Sequence, residues 1–124
     1  MFARILAALL GVYHGGNGLY MLLAPDHWFR TGGIASTGPY NSHFVQDVGV
    51  AFLSGGLAFL VLAWDQRAGL LALGASGFLL GHAILHLIGL GHGHGSPVEA
   101  AMIAIPALIG AAIAWPGKRR AADA

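Results

Sequence analysis

The chain contains no cysteine and very few charged residues. Only 9% of its 124 residues are Asp, Glu, Lys or Arg, whereas a soluble domain carries about a quarter. The absence of cysteine excludes disulfides, thiolate chemistry and iron–sulfur ligation. The chain has no basic stripe and no nucleic-acid motif, so we expect no nucleic-acid partner. More than half of the residues, 56%, are hydrophobic, which is typical of a protein that lies in a lipid bilayer.

Four apolar stretches are each close to the roughly 20 residues that a helix needs to cross a bilayer. They predict an all-α integral membrane protein, a four-helix bundle with up-down-up-down topology in a single domain, residues 1–124. Arg4 and the apolar residues after it resemble a signal peptide, but the apolar run is long enough to span, so we expect a retained first helix. The predicted helices are residues 1–24, 42–64, 68–90 and 97–115.

Local signals mark where these helices begin and end. Residues 96–99, Ser-Pro-Val-Glu, form a capping box with proline at the first helical position. Asn41 or Ser42 can cap the second helix. The short polar turn at residues 65–67 predicts that helices two and three are antiparallel neighbours. Pro106 predicts a kink in the fourth helix.

The pairs Gly11/Gly15 and Gly77/Gly81 have the spacing that allows two helix backbones to approach each other closely in a membrane. We therefore expect close packing at both places.

The positions of Lys and Arg predict the orientation of the bundle. Five of the six basic residues fall on the side that holds both termini, and only Arg30 falls on the other. By the positive-inside rule both termini are cytoplasmic, and we expect the bacterial inner membrane. Aromatic residues near the predicted helix ends are typical of a belt at the two membrane surfaces: Trp28, Tyr40, Trp64 and Trp115.

The polar residues inside the predicted helices share one depth. His43 begins the second helix at the outer face, and Asp47 lies one turn deeper. The third helix runs outward, which places His86 about one turn and His82 about two turns inside that face. His14 and Asn17 on the first helix also fall in the outer half or near the midplane.

The spacing of these residues suggests a metal site. His43 and Asp47, like His82 and His86, are four residues apart and therefore lie on one face of a helix. Facing each other, the two pairs would supply three imidazoles and a carboxylate, a set that suits Zn, Cu, Ni or Fe ions. His14 and Asn17 would add a further ligand or support the ligands. The alternative is a purely structural tie between Asp47 and a histidine.

The chain also resembles a known group of proteins. The residues that carry the resemblance are 17–25, which close the first helix, 40–49, which open the second, and the paired histidines late in the third. In these segments the chain is similar to small bacterial four-helix membrane proteins, and it is distantly similar to the DoxX-type group. Relatives often have a basic residue just before the aspartate, where this chain has Gln46. The resemblance implies the four-helix architecture and no particular activity.

Three functions are compatible with this pattern. The first is binding of a transition metal or haem b for metal handling, sensing or electron transfer, with haem held between His14 and His82 or His86. The second is an accessory or scaffold subunit that docks on a membrane-protein partner or on further copies of itself. The third is a small proton-coupled transporter. Catalysis has the least support, because no substrate pocket can be inferred from the sequence.

Overall fold

The computed structural model describes residues 1–32 and 38–115, and within them the chain forms five α-helices and no strand. Four of the helices are long and apolar enough to cross a membrane. This confirms the predicted all-α bundle, and the helix ends differ from the predicted ones by one residue at most. The helices are α1 (Phe2–Leu23), α2 (Pro25–Thr31), α3 (Ser42–Trp64), α4 (Gly69–Gly91) and α5 (Pro97–Ala114).

The helix boundaries follow from local hydrogen bonds that the sequence indicated. The Asn41 side chain accepts a hydrogen bond from the Phe44 amide and caps α3. The Ser96 hydroxyl accepts one from the Glu99 amide and caps α5, which begins at Pro97. These side chains satisfy amides that the first turn of a helix leaves without partners.

The connection between α3 and α4 is a single 3₁₀ turn, Gln66–Ala68. The Asp65 carboxylate accepts hydrogen bonds from the backbone and the side chain of Arg67. These bonds hold the pKa of Asp65 below its usual value. Such a short connection confines α3 and α4 to antiparallel neighbouring positions, as predicted.

The closest helix contact joins α1 to α3 through glycine. A Cβ atom built on Gly56 would lie 2.5 Å from the Gly15 Cα atom and 2.8 Å from the Gly11 carbonyl oxygen. The predicted role of Gly11 and Gly15 is therefore confirmed. The prediction for Gly77 and Gly81 is wrong within this chain, because a Cβ atom at either position meets nothing within 4 Å.

The bundle consists of two helix pairs. Contacts are most extensive between α1 and α3 and between α4 and α5, whereas α1 and α5 touch only slightly. The pairs are joined by contacts between α3 and α4 and by Phe59 of α3, whose fully buried ring packs where a Cβ atom on Gly110 of α5 would lie.

Helix α2 lies in the segment predicted to be a loop between the first two membrane helices. Pro25 occupies its first turn, and Arg30 donates to Asp26 one turn earlier. This bond lowers the pKa of Asp26, which is fully exposed. Trp28 and Phe29 on the other face pack against the bundle core. The helix therefore lies over one end of the bundle, called here the α2 end.

Candidate functional site

A cleft of about 900 Å³ separates the two helix pairs at the α2 end. One wall comes from α1, α2 and the beginning of α3, and the other from the end of α4, the turn after it and the start of α5. Apolar and aromatic side chains form most of the lining. A few polar groups converge among them: His14, Asn17, His82, His86, His94 and Glu99. A mainly apolar cleft with few polar groups is the usual form of a binding site for small molecules.

The wall formed by α4 and α5 brings two histidines and a carboxylate together. His82 and His86 lie one turn apart, with their rings edge to face and the ring centroids separated by 4.7 Å. Nδ1 of His86 lies 3.5 Å from Oε1 of Glu99, and both side chains are about five-sixths buried. Glu99 Oε1 has no hydrogen-bond partner at normal distance. The three residues thus offer nitrogen and oxygen atoms that the fold itself leaves unused.

The position of Glu99 corrects the sequence interpretation of this residue. The capping box is confirmed at Ser96, which caps the helix. The Glu99 carboxylate, which we expected to complete the box, instead lies against His86 in the cleft. Glu99 lies in the first turn of α5, at the level where α4 ends. This shared level was the signal that could have identified it.

The wall formed by α1 and α3 contains a buried histidine without a polar partner. His14 is 2% exposed, and neither ring nitrogen has a hydrogen-bond partner. Its ring lies among the rings of Tyr13, Phe52 and Phe59. An unpaired buried polar group costs about 1–3 kcal/mol, so an unpaired imidazole in such surroundings calls for an explanation.

Asn17, one turn from His14, is already engaged. Its Oδ1 accepts a hydrogen bond of 2.8 Å from the indole nitrogen of Trp28. Its Nδ2 lies 3.8 Å from the sulfur of Met21. Trp28 is therefore more than the membrane-surface residue that the sequence suggested, because it fastens α2 to α1 and lines the cleft.

His43 and Asp47 do not join the cleft. They bond to each other at 3.0 Å, and their side chains are 85% and 67% exposed on the outer surface of the bundle. Val45, two residues after His43 and two before Asp47, is buried. Since successive residues are about 100° apart around a helix, both His43 and Asp47 project almost opposite to Val45.

The four residues of the predicted metal set are therefore not gathered in one place. His82 and His86 line the cleft, while His43 and Asp47 face away from it. Within the described residues no three His, Asp or Glu side chains stand close enough to hold a metal ion as they are. The depth that the four share was necessary for such a site, but the rotation of α3 about its axis separates them.

The remaining histidines lie near the α2 end. The ring of His27 in α2 forms a hydrogen bond with the Tyr20 hydroxyl. His94 lines the cleft from the turn between α4 and α5, where Gly93 and Gly95 adopt positive φ angles of 81° and 76°. His92 in the same turn is exposed.

Comparison of the chain with protein-family models, curated proteins and solved structures finds no match. The resemblance to DoxX-type proteins therefore stays a prediction, and the site must be interpreted from its own chemistry.

Proposed function

We propose that this protein is a multi-pass membrane protein that binds a transition-metal ion in the cleft, through His82, His86 and Glu99. The expected role is metal handling, sensing or electron transfer in the bacterial inner membrane. The proposal keeps the two histidines predicted on the third membrane helix. It replaces His43 and Asp47, which face outward, with Glu99.

The observation that carries the proposal is the spacing of His86 and Glu99. Their 3.5 Å separation is longer than the roughly 2.7–3.2 Å of a good hydrogen bond between nitrogen and oxygen. Two ligand atoms on one tetrahedral metal, each bonded at about 2.0–2.1 Å, lie about 3.4 Å apart. The pair is therefore spaced as two ligands of one ion would be.

The rest of the donor set requires side-chain movement. His82 must rotate from its position beside Phe78 to bring a nitrogen to the same ion. His94, on the turn above the cleft, can supply a fourth donor. Two or three imidazoles with one carboxylate suit Zn, Cu, Ni or Fe, and not Ca or Mg, which prefer oxygen ligands alone.

Haem b is the second candidate occupant, and the positions of two histidines favour it. His14 and His82 lie on opposite walls of the cleft, and the ring of Phe52 contacts both. Displacement of Phe52 would open a space between the two imidazoles for a haem iron. An absorption spectrum of the purified protein distinguishes the two forms, because only haem gives a Soret band.

The test of the metal site is a thermal unfolding titration of the purified chain after treatment with a chelator. Binding to the folded state alone raises stability, by about 2.7 kcal/mol at a free ligand concentration one hundred times Kd. We expect at least one of Zn²⁺, Cu²⁺, Ni²⁺ and Fe²⁺ to raise the Tm of the wild-type protein. His86→Ala and Glu99→Gln should abolish that increase.

His43→Ala is the matched control, because it removes an imidazole that lies outside the cleft. It should leave the metal-induced increase in Tm intact. If none of the four ions changes the wild-type Tm and no Soret band is present, the proposal is wrong. It is equally wrong if His86→Ala responds to metal as the wild type does.

A further inference from the structure

The cleft is much larger than a metal site requires. Three or four side chains at about 2 Å are enough for an ion, whereas a volume of about 900 Å³ lies in the range of about 300–1,000 Å³ that organic ligands occupy. The wall opposite His86 contributes aromatic side chains to the lining, among them Tyr13, Trp28 and Phe52.

His14 is the polar group of this second part of the cleft. In its uncharged form an imidazole offers one hydrogen-bond donor and one acceptor, and His14 uses neither within the fold. Phe52 lies against its ring and lines the cleft beside it. Rotation of this one aromatic side chain would connect the unused nitrogens to the open volume.

The charge of the lining limits the kind of molecule that fits. No Lys or Arg lies among the described residues of the cleft, so an anionic group would find no ammonium or guanidinium partner there. The carboxylate among the described residues that line the cleft is that of Glu99, and it lies against His86. The surroundings of His14 are aromatic and apolar, which suits an uncharged hydroxyl or carbonyl group attached to an apolar body.

We propose that the cleft binds an uncharged lipid-soluble molecule whose hydroxyl or carbonyl group bonds to His14. The apolar body of the molecule packs between Phe52 and Trp28. Tyr13 of α1 and Met102 of α5 are exposed at the edge of the cleft, where the two helices hardly touch. Entry is therefore from the surrounding lipid, between α1 and α5. The polar group of this subsite, His14, is not one of the proposed metal ligands, although Phe52 contacts both His14 and His82.

The test uses the fluorescence of Trp28, which lines the cleft. A chain with Trp64→Phe and Trp115→Phe retains Trp28 as its one indole. The probes are bromodecanol and bromodecane, which share a bromine quencher and an apolar chain but differ in the hydroxyl group. The protein is kept in lipid nanodiscs with a chelator present, so that the result is independent of metal binding.

We expect bromodecanol to quench Trp28 saturably, with about tenfold tighter binding than bromodecane. His14→Leu should reduce the affinity for bromodecanol about tenfold, to the level of bromodecane. His43→Leu, which removes an exposed imidazole, should change nothing. A chain that retains Trp64 in place of Trp28 should show only unsaturable quenching from probe dissolved in the lipid.

Equal affinity for the two probes would overturn the proposal, as would a His14→Leu protein that binds bromodecanol like the wild type. In either case His14 does not bind the hydroxyl group of the ligand. If His14→Leu does not fold, the comparison of the two probes on the protein with native His14 still decides the question. The metal titration, made on a sample from which the chelator has been removed, reports separately on the proposed function.

Discussion

The histidines of this protein differ in role because they differ in surroundings. His14 is buried among aromatic rings, and His86 lies beside a carboxylate in a cleft. His43 is exposed and pairs with an aspartate on its own helix. An imidazole can pack, bind a metal or form a hydrogen bond, and the neighbouring side chains decide which of these is available. The histidines of the cleft are therefore the ones to which we assign binding.

A second residue of the cleft, Trp28, gives a prediction about stability. Trp28→Phe keeps an aromatic ring but removes the donor that bonds to Asn17 at 2.8 Å. Loss of one such bond costs about 1 kcal/mol, so the Tm should fall by several degrees, about 4–8 °C per kcal/mol for a small domain. Thermal unfolding of the purified protein measures the change.

The control is Trp64→Phe, because Trp64 is 88% exposed and lies at the other end of the bundle. It should leave the Tm unchanged. If the two variants are destabilised equally, the bond between α1 and α2 does not contribute as the structure indicates.

At the scale of the helices, two faces that contain paired glycines differ in whether they pack against another helix. The face of α1 with Gly11 and Gly15 meets Gly56 of α3 at backbone contact. The face of α4 with Gly77 and Gly81 meets open space within the chain. The same sequence spacing therefore produces a tight interface in one case and an exposed surface in the other.

This difference predicts opposite effects for the same substitution. Gly56→Ala places a methyl group 2.5 Å from the Gly15 Cα atom, and because backbone cannot rotate away, we expect destabilisation of about 1–3 kcal/mol. Gly77→Ala adds a methyl group in open space and should be neutral or stabilising by up to about 1 kcal/mol, since alanine is the better helix former.

Unfolding of both variants by increasing SDS in mixed micelles measures the difference. A Gly77→Ala protein that loses as much stability as Gly56→Ala would show that α4 packs through this face against something outside the single chain.

At the scale of the whole molecule, two helix pairs leave a cleft between them at one end of the bundle. That end carries α2 and the turn between α4 and α5, while the turn between α3 and α4 lies at the other end. The arrangement places every polar group of the cleft within one half of the bundle. The ligands that we propose would therefore bind within that half of the bundle.

The orientation of the bundle gives the last prediction. Because five of the six Lys and Arg residues fall on the side that holds both termini, that side should face the cytoplasm and the cleft should open on the opposite side. A reporter that is active only outside the cytoplasm should be inactive when fused at residue 124 and active when inserted in the turn at residues 92–96. The reverse pattern would contradict the orientation.

The helices themselves could be predicted from the sequence because their causes are local. A run of about 20 apolar residues forms a helix in a membrane whatever its neighbours are, since every backbone group must then be bonded within the segment. Caps at Asn41 and Ser96 act over three residues, and so the ends were also predictable. Helix α2 was missed because its seven residues are stabilised mainly by packing of Trp28 and Phe29 on the bundle.

Depth in the membrane follows from counting residues, and the sequence by itself determined that His14, His43, His82 and Glu99 belong to one half of the bundle. Only the tertiary structure decided which of them face each other. The rotation of a helix about its axis depends on the packing of all its neighbours, here on the glycine contact between α1 and α3. That contact buries Val45 and Phe52 and turns His43 and Asp47 outward. The packing of α5 on α4 brings Glu99 to His86 instead.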